Sequence, residues 1–68
     1  MENVKKQKKT IDTEIDRLEV TFEKNRREML QLADENKRMS GRYGELLEDN
    51  HRINERIRTL LKQMWKLD

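Results

Sequence analysis

Apolar residues recur along this chain at alternating steps of four and three, a seven-residue period that commits it to helices packed along one seam. From Ile11 the series runs Ile15, Leu18, Phe22, Asn25, Met29, Leu32, Asn36, Met39, Tyr43, Leu46, Asn50, Ile53, Ile57, Leu60, Met64 and Leu67. No position is skipped and no charged residue occupies one. A straight helix drifts about 20° per heptad from such a repeat, so the seam implies a left-handed supercoil. Position a takes Ile15, Phe22, Met29, Asn36, Tyr43, Asn50, Ile57 and Met64. Position d takes Ile11, Leu18, Asn25, Leu32, Met39, Leu46, Ile53, Leu60 and Leu67. Extending backwards gives Lys8 at a and Val4 at d, a weaker seam.

The expected fold is all-α: a single long helix, about 100 Å at 1.5 Å per residue, in a parallel two-stranded coiled coil. Residues 1–10 form a basic, weakly paired N-terminal segment. Residues 11–68 form a continuous heptad coiled coil. Thr10, followed by Asp12, Glu14 and Asp16, reads as a helix start with acids near the positive end of the dipole. Glu2–Lys6, Glu23–Arg27, Asp34–Arg38 and Glu48–Arg52 are i,i+4 acid-base pairs that support the outer face. Gly41 and Gly44 suggest a turn. Because Met39, Tyr43 and Leu46 carry the spacing through them, the expectation is a continuous helix, softened near residue 42.

Sixty-eight residues without cysteine cannot build a large core or staple a small one with disulfides. The seam therefore needs a partner, and association and folding should be one event. Asn36 and Asn50 at a favour two parallel strands, since facing amides can hydrogen-bond across the seam. An antiparallel pair would match Glu14 with Arg56 and Glu28 with Arg42. It would also set Asn36 against Leu32 and Asn50 against Leu18. Surface ion pairs contribute little, whereas a buried amide without a partner costs about 1–3 kcal/mol. The amides tip the expectation to a parallel homodimer, with Asn25, Asn36 and Asn50 setting its register.

Charged residues make up 44% of the chain, and the net charge is +2. Both ends are basic, Lys5, Lys6, Lys8 and Lys9 at one and Arg52, Arg56, Arg58, Lys62 and Lys66 at the other. Nonspecific nucleic-acid contact through these ends is an alternative function. Sequence-specific reading is not expected. Glu23-Lys24-Asn25-Arg26-Arg27 resembles the basic-region core of basic helix-loop-helix factors over five residues, but the upstream histidine is missing and no loop follows. Glu48 and His51 have the Glu-x-x-His spacing of di-metal bundles, yet both fall on outward positions and no second histidine exists. No metal, cofactor or catalytic role is expected.

The first six residues carry no apolar stretch, and no run approaches the roughly 18 apolar residues of a membrane span. An intracellular setting, cytoplasm or nucleus, is the expectation. The heptads are similar to the two-stranded rods of tropomyosin and of kinesin or golgin stalks. That resemblance implies a dimerising segment of a longer scaffold, motor or cytoskeletal tether protein. Leu61 and Trp65, apolar residues off the seam, and the stretch near Tyr43 are candidate surfaces for another protein.

Overall fold

The computed structural model describes residues 2–67, with side chains from Val4 onward. The chain is all-helical, but it is not a single helix: α1 spans Glu2–Asp34 and α2 spans Gly41–Lys66. They pack antiparallel as a helical hairpin 52 Å long and about 15 Å thick. No strand forms among the described residues. Among the described residues no helix is long and apolar enough to cross a membrane.

The expected start at Thr10 is corrected, because α1 runs through it from Glu2. The hydroxyls of Thr10, Thr13 and Thr21 donate to the carbonyls of Lys6, Lys9 and Arg17, four residues back. Each therefore satisfies its polar group on its own helix. Glu23–Arg27 and Glu48–Arg52 form at 3.8 and 4.0 Å. The Glu2–Lys6 pair lies outside the described residues, because it requires the Glu2 side chain. Asp34–Arg38 is not among the described ion pairs; its spacing presumes a helix that ends at Asp34.

The continuous helix fails at Asn36. Its φ of 60° is the one positive value among the described non-glycine residues. The Lys37 N–H donates to the Leu32 carbonyl at 2.7 Å, and the Asn36 N–H donates to Ala33 at 3.0 Å. These two bonds are the six-to-one and five-to-two links of a Schellman cap, with Asn36 as the left-handed residue. Four residues on, Ser40 caps α2, its Oγ accepting from the Tyr43 N–H at 3.2 Å. The same hydroxyl donates to the Lys37 carbonyl at 2.7 Å, tying the two caps together. Asn36 and Met39 are thus turn residues rather than core, and Met39 is 98% exposed.

The glycines are not the hinge. Gly41 opens α2 and Gly44 lies in its first turns, neither with positive φ. A Cβ at either would meet nothing within 4 Å. Folding back supplies the seam with a cover from the same chain, without the translational entropy of bringing two chains together. Ile15, Leu46, Ile53 and Leu60 are buried, and the remaining apolar seam residues of both helices are half-buried.

Gly44→Ala should stabilise the hairpin by about 0.5–1 kcal/mol, since it removes a helix-interior glycine in open space. Ser40→Ala should destabilise it by about 1 kcal/mol through the lost cap. Urea melts of the two variants check both signs.

Candidate functional site: the interhelical seam

The heptad residues converge on one interface, and its centre is polar. Asn25 on α1 and Asn50 on α2 are 8% and 7% exposed. The Asn25 Nδ2 donates to the Asn50 Oδ1 at 2.9 Å and to the Asp49 Oδ2 at 2.7 Å. The Asn50 Nδ2 donates to the Phe22 carbonyl at 3.3 Å. Among the described residues no buried side-chain nitrogen or oxygen lacks a partner. A satisfied polar cluster inside an apolar seam penalises every sliding of one helix along the other, because sliding would strand the amides.

This packing lies within one chain and is antiparallel, where a parallel pairing of two chains was expected. The amides do pair, but across an antiparallel interface. Asn50 meets Phe22 and Asn25 rather than Leu18, so the objection to antiparallel packing disappears. Of the three asparagines expected to set register, Asn25 and Asn50 are brought together. Asn36 lies outside the seam, in the turn.

Two ion pairs expected of an antiparallel arrangement are present and flank the amide cluster. Arg56 Nε donates to Glu14 Oε2 at 2.8 Å. Arg42 grips Glu28 with both arms, Nε to Oε2 at 2.6 Å and a terminal nitrogen to Oε1 at 3.0 Å. Both pairs are solvent-exposed, so they select register more than they add stability. The hydrogen bonds from Arg42 hold the Glu28 carboxyl below the usual carboxylate range, and those to Glu28 raise Arg42. Arg56 is raised in the same way by Glu14. Within α1, Arg26 lowers Glu23 through a hydrogen bond of its own.

The candidate partner surface is less gathered. Leu61 is half-buried and Trp65 is 67% exposed, one turn apart on α2. Tyr43 is half-buried beside the α2 cap. A shallow open groove, not expected from the sequence, is formed by Phe22 and Met29 of α1 with Leu47, His51 and Asn54 of α2. Leu47 was legible as an off-seam apolar residue, but only the antiparallel register sets it beside Phe22 and Met29. Glu48 and His51 are both exposed, and His51 lies 3.9 Å from Glu55. Among the described residues no group of three potential metal ligands is brought together.

Asn25→Ala leaves the buried Asn50 Oδ1 without its donor and should cost about 1–3 kcal/mol. Replacing both Asn25 and Asn50 by Leu should recover that loss or exceed it while permitting alternative registers, read as broadened amide resonances. A carboxylate with a lowered folded pKa stabilises the fold above the ordinary range, and that contribution is lost as pH falls through the folded value. The thermal midpoint should therefore hold from pH 7 to 5 and fall below about pH 4.3, less steeply in Glu28→Gln. No family model, curated protein or solved structure matches the chain.

Proposed function

We propose that this chain is a helix-association module, the homodimerising segment of a scaffold, motor or tether-type protein, and that pairing through its seam is its work. The observation that carries the reading is the incomplete burial of that seam. Four apolar side chains and two amides are buried, while Ile11, Leu18, Phe22, Met29, Leu32, Ile57 and Met64 stay half-exposed. Each fully buried apolar side chain contributes about 1.5–3 kcal/mol, and half-burial forfeits much of it. A two-helix layer of this size is marginal alone, and association with a second copy stabilises it by mass action. Trp65 and Leu30, both exposed on the outer faces, add apolar surface available to association.

A second reading has one observation in its favour. The hairpin brings the two basic ends of the sequence to one end of the rod, where Lys6, Gln7 and Ile11 border Gln63 and Lys66. Lys5, Lys9 and Lys62, on the same two stretches of sequence, are exposed. Such a cluster suits nonspecific phosphate contact, and binding to a DNA duplex would then weaken steeply with added salt.

Sedimentation equilibrium tests the primary reading. The account expects a dimer at micromolar to millimolar concentration and a thermal midpoint that rises with concentration. A monomer throughout, with a concentration-independent midpoint, would refute it.

A further inference from the structure

Building on the homodimer reading, we propose that the hairpin opens at residues 35–40 and re-pairs with a second copy as an antiparallel dimer of continuous helices. The first support is the turn itself. A segment that serves only as a turn has no need of heptad spacing, yet Leu32, Asn36, Met39 and Tyr43 keep the four-three steps straight through it. It contains neither proline nor glycine, and one residue, Asn36, has left-handed backbone. Two torsions depart from helix here, the φ of Asn36 and the extended ψ of Ser40, while the residue types themselves are compatible with helix. Met39, now 98% exposed, would regain a seam position.

The second support is that the seam becomes self-complementary about this segment. In the hairpin Asn50 lies against Phe22 and Asn25. Moving two heptads inward along each helix carries Asn50 to Asn36, and carries Phe22 and Asn25 to Asn36 and Met39. In two continuous antiparallel helices each Asn36 would therefore face the partner's Asn36 and Met39 across a two-fold axis. The turn residue at a becomes a paired polar residue of the same kind as Asn50. The cross-helix contacts of the hairpin, Glu14 with Arg56, Asn25 with Asn50 and Glu28 with Arg42, re-form unchanged between chains. A closed interface exchanged for an identical open one is the low-cost route to a dimer.

The opposing terms are local. The two caps at the turn are lost, and the 3.2 Å Lys37–Glu35 pair with them. By the same one-heptad shift that separates Glu28 and Arg42 from residue 35, two Glu35 carboxylates approach at the axis. Against these stand the helical hydrogen bonds gained by the turn and the burial of Met39. The balance turns on Asn36, because its left-handed backbone is needed only in the hairpin.

Glu14→Cys/Arg56→Cys, treated with a short bifunctional thiol crosslinker, reads the connectivity of a population shown by sedimentation to be dimeric. The proposal expects crosslinks between chains and a scattering profile near 100 Å long. Crosslinks only within chains, in a dimer near the 52 Å length of the hairpin, would overturn it while leaving homodimerisation intact. Absence of crosslinks of either kind in a dimer would indicate parallel pairing and overturn it as well. A monomer would remove it together with the reading on which it rests. Asn36→Ala should lower the dimer dissociation constant, and Asn36→Gly, which suits the left-handed turn, should raise it. The two variants should differ by about tenfold or more. Equal constants would also contradict the proposal.

Discussion

The hydrogen bond between Asn25 and Asn50 is the constraint on which the fold depends. Apolar side chains in a seam are largely interchangeable, and an all-aliphatic stripe would tolerate slippage by a heptad. An amide is not interchangeable, because its donors and acceptor must be met where water is excluded. With Asp49 and the Phe22 carbonyl completing the cluster, one register satisfies every buried polar atom described. Arg56–Glu14 and Arg42–Glu28 reinforce that register from the solvent side.

Around this point the energetics divide cleanly. Burial of Ile15, Leu46, Ile53 and Leu60 drives the helices together. The polar cluster spends some of that stability on specificity. Two caps joined through Ser40 decide where the chain reverses. Reversal also gathers the lysines of both sequence ends at one end of the rod. An antiparallel pair of opened chains would keep that feature, because each end would combine one chain's start with the other's finish.

Much of this was legible from spacing alone. The four-three series named the residues that face inward on both helices, and the antiparallel alternative named both interhelical ion pairs. Three things were hidden. The turn was masked because the heptad spacing continues through it, and because Gly41 and Gly44 resemble a hinge while Asn36 and Ser40 make the caps. An asparagine able to take left-handed backbone, four residues before a serine able to cap, was the available signal. The orientation was hidden by a one-heptad displacement: Asn50 set against Leu18 looks like an orphan, whereas against Asn25 it is satisfied. The groove beside Leu47 could not be read before the register was known. Whether a seam is covered by its own chain or by another is not encoded in periodicity, because both covers present the same residues.

The register of the central amides can be measured directly in an isotope-labelled sample by cross-helix nuclear Overhauser effects from the Asn25 side-chain amide. The account predicts contacts to Asn50, accompanied by contacts between Ile15 and Leu60, whichever chain supplies α2. Contacts from Asn25 to Asn25 of another copy, or to seam residues a heptad away from Asn50, would contradict it.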